Sequence, residues 1–302
     1  MHERPDGVLD ADILVAVQAG WPEAVDGVDA VEHLPVGFGA HHWRASADGE
    51  PRLFVTLDVV GVAGARHADA GSLHDAYATA AELARSVDAV HAGLAPWVVP
   101  CGSGPLSVTP WLDAVRPAAL DEPATAAVLD ALHRATPPAT TPRWRTVVPP
   151  GLADDLASRV RRPWTAGPHG ERVRTALVER LDDVHRWVAR HHHLASVAPQ
   201  RPWVVTHGEP GLHNQLVTAD GRLLLVDWES VRLAPAERDL RTLDRGDPEM
   251  LELFDLEWRL EEVGQYAAWF EGPHADTADA RTAVEGLMEE LERPGYPRSG
   301  RS

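Results

Sequence analysis

One short stretch of this sequence restricts its fold more than any other, because it carries two apolar runs joined by Asp220-Gly221. The stretch is THGEPGLHNQLVTADGRLLLVDWES. Asp-Gly between such runs favours a β-hairpin with a two-residue type I′ turn. That turn places Leu216 opposite Leu225. It also places Asn214 opposite Asp227, and directly opposed residues have Cβ atoms about 4.5–5.5 Å apart. The register therefore predicts an amide oxygen and a carboxylate side by side at the open end.

The residues at this open end suit phosphate chemistry with a divalent cation. Two close oxygen ligands suit Mg²⁺, which fills the rest of its shell with water and phosphate. Glu209 lies five residues before Asn214 and follows the strand-like run that ends at Thr206. A carboxylate in that place can accept a proton or orient a hydroxyl. Each residue alone is common in loops, so the whole set at this spacing is what indicates a site.

The segment resembles the aminoglycoside phosphotransferase and choline kinase family, which is related to the protein kinases, and in particular its spectinomycin-phosphotransferase-like branch. The usual family pattern is H-G-D-x-x-x-x-N, followed by an apolar strand that ends in D-W. Here the sequence is HGEPGLHN and then LLLVDWE, with LAPAERDL downstream. The resemblance touches most of the chain but is specific only between residues 206 and 240.

This resemblance implies a two-lobe, protein-kinase-like α+β fold. Residues 1–110 would form a small β-rich lobe that binds the nucleotide. Residues 111–302 would form a larger helical lobe with the catalytic loop, the metal-binding hairpin and the acceptor site. The implied activity is phosphoryl transfer from ATP (or GTP), with Mg²⁺, to a hydroxyl of a small cationic molecule such as an aminoglycoside or aminocyclitol. Antibiotic resistance, metabolism and regulation all stay open as its purpose.

The resemblance also implies roles for the residues of the loop and the hairpin. Glu209 stands where the family has its catalytic Asp, and His207 would brace the catalytic loop. Asn214 and Asp227 match the Mg²⁺ ligands that bridge the nucleotide phosphates. Asp239 would hold the backbone of the loop.

Two further segments are candidates for nucleotide contacts. Backbone groups around Val108, Thr109 and Trp111, in the run LSVTPWLD, are expected at the adenine edge. Gly37 and Gly39 would form a turn that covers the phosphates. A simple turn is an equally good interpretation of these two glycines.

The sequence departs from the family pattern in two places. Glu209 replaces Asp, which moves the carboxylate by about 1.5 Å, and catalysis is sensitive to about 1 Å. Thr56 stands where the family has a lysine that grips phosphate, and the chain contains no lysine at all. An alternative function is therefore a kinase-like nucleotide-binding protein with little or no catalysis. Arg44, Arg52 and Arg66 are the arginines considered as substitutes.

The glutamate that pairs with that lysine in the family is also missing. Glu82 is the candidate nearest in sequence, but it lies on the polar side of its predicted helix, where it would face solvent. Loss of both partners is consistent, because a lone buried carboxylate is costly.

Charge and composition narrow the classes of partner. The net charge is −18, from 28 Lys+Arg against 46 Asp+Glu, which disfavours nucleic acid and anionic membranes and is compatible with a cationic ligand. We expect a cytoplasmic protein, because the N-terminus is not typical of a signal peptide, no apolar run is long enough to span a bilayer, and Cys101 has no second cysteine to pair with. The oligomeric state stays open.

The remaining patterns predict secondary structure. Residues 34–45 and 52–60 predict one hairpin, and residues 96–101 and 105–112 predict another. Ser72 is expected to cap a helix that runs to about Val90, and Thr125 to cap a helix over Ala126–Arg134. A long helix ending at residues 191–194 and a helical tail complete the pattern. Neither the histidine pair at residues 41–42 nor the histidine run at residues 191–193 has the spacing of a zinc site.

Overall fold

The computed structural model describes residues 3–5, 7–37, 39–60, 69–102 and 104–296. The chain divides into two compact units, one of Met1–Arg143 with Val204–Ala234 and one of Trp144–Trp203 with Pro235–Ser302. The N-terminal region is built on a β-sheet and the C-terminal region is helical, as predicted. The catalytic-loop segment and its hairpin group with the N-terminal sheet. The lobe boundary between residues 110 and 111 stays a prediction.

The N-terminal sheet has five strands in the order β1-β2-β3-β5-β4, with antiparallel pairing throughout. One sheet face carries a core that includes Trp43, Val55 and Leu106, and helix α1 adds Ile13 and Val17 to it. The elements in this part of the chain are α1 (Asp10–Gly20), β1 (Val28–Leu34), β2 (Ala40–Ala47), β3 (Glu50–Asp58), α2 (Ala70–Leu83), β4 (Val99–Cys101) and β5 (Gly104–Pro110).

Both predicted hairpins are present in this sheet, as β2–β3 and β4–β5. The turn between β2 and β3 has Asp48 at φ 50° and Gly49 at φ 80°, the two left-handed residues of a type I′ turn. Leu34, however, ends the preceding strand β1 and does not belong to β2. Sequence reasoning missed this strand because residues 34–45 were interpreted as a single strand.

Two predicted helix caps are wrong by a few residues. Helix α2 begins after Asp69, whose side chain accepts a hydrogen bond from the backbone nitrogen of Ser72, and it ends at Leu83. Helix α3 (Glu122–Arg134) is capped in the same way by Asp121, and Thr125 is buried inside the helix. In both helices an aspartate three or four residues upstream of the predicted cap accepts a hydrogen bond from a free backbone nitrogen of the first turn.

The hairpin of the loop segment has a different register from the predicted one. Strand β8 (Gln215–Thr218) pairs with β9 (Leu223–Leu225) so that Leu216 faces Leu224. The connection is a three-residue loop in which Gly221, at φ 83°, takes the left-handed position. The side chain of Thr218 hydrogen-bonds Asp220 and accepts from the backbone nitrogen of Arg222, and both bonds stabilise the longer loop. The pairing of Asn214 with Asp227 is therefore wrong by one residue.

Short strands complete the first unit around this hairpin. Strand β6 (Ala114–Val115) pairs with β8, and β7 (Val204–Thr206) pairs with β10 (Arg232–Ala234). Strand β7 corresponds to the strand-like run that was predicted before His207.

The second unit is helical, and its helices share one core. Its longest helices are those predicted from the periodic patterns. Leu156, Leu177, Leu260, Phe270 and Leu287 are among the core side chains that have no more than 1% exposure. The helices are α4 (Leu152–Arg159), α5 (Gly170–Val197), α6 (Glu237–Leu240), α7 (Pro248–Glu271) and α8 (Ala278–Glu292).

A buried polar cluster interrupts this core. The indole nitrogen of Trp144 donates to Glu257 Oε1 at 2.8 Å, and the Thr146 hydroxyl lies 2.5 Å from His191 Nε2. Burial raises the pKa of Glu257 to about 7 and lowers the pKa of His191 to about 4. Because their rings and carboxyl group lie in a low-dielectric core, both side chains favour their neutral forms.

In the part of the chain that the structure describes, no helix combines the length and the apolar character needed to cross a membrane.

Candidate active site

The imidazole of His207 joins the catalytic loop to the end of strand β9. The ring is fully buried, and its Nε2 lies 2.9 Å from the carbonyl oxygen of Val226. The backbone nitrogen of Glu209 donates to its Nδ1 at 3.2 Å. Nδ1 is thus an acceptor, so the proton is on Nε2 and is donated to Val226. The ring also packs on Trp228 at 4.5 Å between centroids. These contacts join the loop to the end of β9, and the role of His207 in bracing a catalytic loop stays a prediction.

The side chain of Asn214 closes the same loop from the other end. Its Nδ2 donates to the carbonyl oxygen of Glu209 at 3.0 Å, across a tight turn that contains Gly208 at φ 99°. Gln215, which is fully buried, donates to the carbonyl oxygen of Pro210 at 2.8 Å. Sequence reasoning missed Gln215, although its place directly after Asn214 was a usable signal. The amide nitrogen of Asn214 is committed to the loop, so the oxygen is the atom that it offers to a cation.

The carboxylate of Glu209 is mostly shielded and lies among polar neighbours. The hydroxyl of Ser230 donates to its Oε1 at 3.3 Å, and His213 Nε2 lies 3.8 Å from its Oε2. Its side chain is 12% exposed. A partly desolvated carboxylate with fixed neighbours is suited to accepting or orienting a proton.

Asp227 lies just beyond the paired part of the hairpin. The backbone nitrogen of Val226 donates to the carbonyl oxygen of Asn214 at 3.1 Å, which makes these two the opposed residues. Asp227 then takes a left-handed backbone conformation at φ 66°, which is uncommon for a residue with a side chain. Along a strand, side chains alternate between the two faces, but this alternation stops at Asp227. The difference of one residue between the predicted and the observed register therefore does not by itself put Asp227 and Asn214 on opposite faces. The side chain of Asp227 is exposed and accessible to a ligand.

The donor set fits a magnesium ion that arrives together with a nucleotide. Asp227 offers carboxylate oxygens and Asn214 an amide oxygen, both of which are hard ligands that suit Mg²⁺. Among the described residues, no group of three or more His, Cys, Asp or Glu side chains is arranged to hold a metal ion. A two-ligand protein site is the arrangement in which phosphate and water complete the shell.

Sequence reasoning missed Asp58, a buried carboxyl group that interacts electrostatically with Asp227 and Glu229. Asp58 ends strand β3 and is 5% exposed, and the hydroxyl of Tyr77 on α2 lies 3.4 Å from its Oδ2. Burial raises the pKa of Asp58 well above its usual range, and the charges of Glu229 and Asp227 raise it further. No sequence pattern indicated Asp58, because packing of segments that are distant in the sequence buries it.

At the position of the missing lysine, Thr56 contacts a histidine. The Thr56 hydroxyl lies 3.2 Å from Nδ1 of His42, which is opposite it on β2. Burial lowers the pKa of His42 to about 3, so this imidazole is neutral near pH 7. Gly37 has a φ of 73°, and a Cβ there would be 2.7 Å from His42 Nε2. Gly37 and Gly39, both at positive φ, lie between β1 and β2, and their phosphate-covering role stays a prediction.

The arginines considered as substitutes differ in their surroundings. Arg44 is paired with Glu32 on the neighbouring strand, which commits its guanidinium to the sheet. Arg52 is exposed, and Arg66 lies outside the described residues. Glu82 is exposed, as expected.

The backbone groups expected at the adenine edge are partly used within the sheet. The carbonyl oxygen of Val108 accepts from Leu94 at 2.9 Å, and the backbone nitrogen of Trp111 donates to Arg52 at 2.8 Å. Thr109 is paired with Phe54 in the β3–β5 ladder. The adenine-edge role stays a prediction and now depends on the other backbone atoms of this segment.

Two acids on helix α7 are structural. Asp255 is buried and receives two hydrogen bonds from Arg293 Nη1, at 2.7 and 2.8 Å. Glu252 forms a bidentate pair with Arg190. Asp239 is fully buried in α6, and its proposed hold on the loop stays a prediction.

The loop carries a carboxylate and is followed by a short hairpin with an Asn and an Asp. Together with the five-stranded antiparallel sheet, this arrangement is that of a kinase-like phosphotransferase. The model of the phosphotransferase enzyme family matches residues 31–269, and the chain belongs to this family. Members of this class transfer phosphate to an alcohol group.

Solved structures share the fold. Spectinomycin phosphotransferase, in complex with ADP and spectinomycin, has a TM-score of 0.68, 13% identity and coverage of 96% of each chain. Choline kinase LicA from Streptococcus pneumoniae has a TM-score of 0.53 and 14% identity, over 92% of this chain and 98% of its own. Identities this low show the fold alone. Protein StrN of Streptomyces griseus is 37% identical over 102 residues, but the match spans only 32% of this chain and 31% of that protein.

Proposed function

We propose that this protein transfers the γ-phosphoryl group of ATP (or GTP) to a hydroxyl of a small cationic molecule of the aminoglycoside or aminocyclitol kind. The observation that carries the proposal is the double brace of the catalytic loop. His207 ties Glu209 to Val226, and Asn214 ties back to the carbonyl oxygen of Glu209. These hydrogen bonds thereby fix the relative positions of Glu209, Asn214 and Val226, the residue before Asp227.

Each step uses side chains of this unit. Glu209 orients the acceptor hydroxyl and takes its proton as the oxygen bonds to the γ-phosphorus. The bond from that phosphorus to the β–γ bridging oxygen breaks, and the nucleoside diphosphate leaves with that oxygen. Asp227 and the amide oxygen of Asn214 would hold Mg²⁺, which neutralises charge on the phosphate oxygens. Positioning and electrostatics supply most of the catalysis in this reaction, so the loss of a lysine weakens it without changing its type.

The cationic acceptor is supported by charge. The chain carries a net charge of −18. A cation is attracted to such a field, and an anionic acceptor is repelled.

A second candidate, nucleotide binding with little turnover, is favoured by Thr56. Its hydroxyl engages a neutral imidazole, so no fixed positive charge stands at this position. The two candidates share nucleotide binding and differ in turnover.

Nucleotide binding with and without Mg²⁺ tests the proposal. We expect ATP or GTP to raise the melting temperature only when Mg²⁺ is present, and Asp227→Ala to remove that dependence. Asp29→Ala, which removes an exposed acid from the edge strand β1, is the matched control and should bind like the wild type. No shift of the wild type at millimolar nucleotide would refute both candidates, and an unchanged Asp227→Ala titration would refute the ligand assignment.

A further inference from the structure

The side chain of Glu209 has more freedom than the backbone that carries it. The backbone nitrogen of Glu209 donates to Nδ1 of His207 at 3.2 Å, and its carbonyl oxygen accepts from Nδ2 of Asn214 at 3.0 Å. These bonds fix the backbone and leave the side-chain torsions unrestrained. Because a glutamate has one more torsion than the aspartate of the family pattern, its carboxylate needs a further contact to keep one orientation.

That contact comes from Ser230, whose hydroxyl donates to Oε1 of Glu209 at 3.3 Å. This distance is long for a hydroxyl and a carboxylate, and catalytic hydrogen bonds of such length commonly tighten in the complex with substrate. On the other oxygen, Nε2 of His213 lies 3.8 Å from Oε2, and the His213 side chain is 58% exposed. Since exposed pairs contribute little, Ser230 is the stronger restraint on the carboxylate.

The fold holds Ser230 in place from both sides. The backbone nitrogen of Val231 donates to the carbonyl oxygen of Trp228 at 3.2 Å, which closes a turn directly after Asp227. Val231 and Trp228 are both buried. Immediately beyond this turn, β10 pairs with β7, the strand that leads into the catalytic loop. Two buried neighbours and a strand pairing therefore bring the Ser230 hydroxyl to Glu209.

We propose that Ser230 is a positioning residue that acts through Glu209: its hydroxyl holds the glutamate carboxylate in the orientation that takes the proton of the acceptor hydroxyl. This inference rests on the proposed function. The extra methylene of Glu209 allows several orientations of the carboxylate, and a lateral hydrogen bond selects one of them. Such selection matters because phosphoryl transfer depends on placement to within about 1 Å.

Steady-state turnover of Mg·ATP tests this role. The readout is the release of ADP, first with water and then with a panel of aminoglycosides and aminocyclitols as the phosphoryl acceptor. Ser230→Ala removes only the hydroxyl, and we expect kcat to fall roughly three- to tenfold, as for one lost hydrogen bond, with the KM for Mg·ATP unchanged. Ser86→Ala is the matched control, because it removes an exposed hydroxyl that donates to the carbonyl oxygen of Leu83 at 3.4 Å, and it should turn over like the wild type.

A second pair of variants separates the hydroxyl from the volume of the side chain. Ser230→Thr and Ser230→Val introduce side chains of the same shape that differ in the hydroxyl. We expect the threonine variant to exceed the valine variant in kcat by the same three- to tenfold factor. This comparison also decides the question if the alanine variant proves unstable, and melting temperatures of all variants identify any loss of folding.

A double-mutant cycle shows whether Ser230 acts through the Glu209 side chain. Glu209→Asp withdraws the carboxylate by one methylene, out of reach of the Ser230 hydroxyl. In that background Ser230→Ala should have no further effect on kcat, whereas independent effects would multiply. An unchanged kcat for Ser230→Ala, a change in KM alone, or fully multiplicative losses in the cycle overturns the inference and leaves the proposed function intact. A wild type that binds Mg·ATP without any turnover refutes the proposed transfer, and the inference with it.

Discussion

Glu257 offers a quantitative test of the helical unit, through the pH dependence of stability. Its carboxyl group is 8% exposed, and burial raises its pKa from 4.5 to about 7. The unfolded chain ionises this group above about pH 4.5, whereas the folded chain keeps it protonated to about pH 7. The folded state therefore loses stability as pH rises through this window, and the loss is complete above about pH 7. At 1.36 kcal/mol per pKa unit, the full loss is about 3 kcal/mol.

Glu257→Gln removes the ionisation but keeps an oxygen that can accept from Trp144. We expect the variant and the wild type to differ little in pH dependence below about pH 4.5, and the variant to gain about 3 kcal/mol relative to the wild type between there and pH 8. The new amide can also change the free energy of unfolding by an amount that is the same at every pH. The informative quantity is therefore the change with pH of the difference between the variant and the wild type.

The assay is urea unfolding followed by tryptophan fluorescence at several pH values between 4.5 and 8. Glu285→Gln, which removes an exposed carboxylate from α8, is the control and should give a difference from the wild type that is independent of pH. A flat difference for Glu257→Gln as well would refute the assignment of a buried, protonated carboxyl group.

Two further predictions concern the loop and the hairpin. Glu209→Gln should keep the Mg²⁺-dependent binding of nucleotide and lose phosphorylation of the acceptor, because the amide cannot take the proton; retained turnover in a phosphate-transfer assay would end the catalytic assignment. Gly221→Ala should destabilise the chain by about 1 kcal/mol, because Gly221 has a left-handed backbone at φ 83° with open space around its Cβ position. Gly151 also has open space around its Cβ position but is not left-handed, so Gly151→Ala should have a smaller effect in the same thermal unfolding. Equal effects of the two glycine substitutions would contradict the three-residue turn.

Local patterns predicted much of this fold, and the misses have physical causes. The Asp-Gly pair occurs twice at a hairpin, and only Asp48-Gly49 forms the two-residue turn. At Asp220-Gly221 the side chains of Thr218 and Arg222 engage Asp220 and favour a three-residue loop. Sequence alone does not choose between these turns, because the choice depends on side-chain bonds that form only once the strands have paired.

In the candidate site, too, local sequence patterns predicted some features, and contacts between distant segments decided others. The family resemblance of the segment that holds His207, Glu209 and Asn214 singled out these three residues, and the hydrogen bonds of the loop join residues close in sequence or on adjoining strands. Asp58 and Tyr77 carried no local signal. Asp58 lies at the end of β3 and Tyr77 lies on α2, so only the packing of segments distant in sequence brings the two side chains together.

The sequence by itself determined the residue types and the periodicities: an amide and two acids at fixed spacing, a chain without lysine, and helices with one apolar face. These are local properties, because each depends on neighbours within a few positions. The tertiary structure alone decided the hairpin register, the left-handed conformation of Asp227 and the burial of Asp58. The register depends on side-chain bonds that form only in the paired hairpin, and burial raises the pKa of Asp58 and of Glu257 and lowers the pKa of His42.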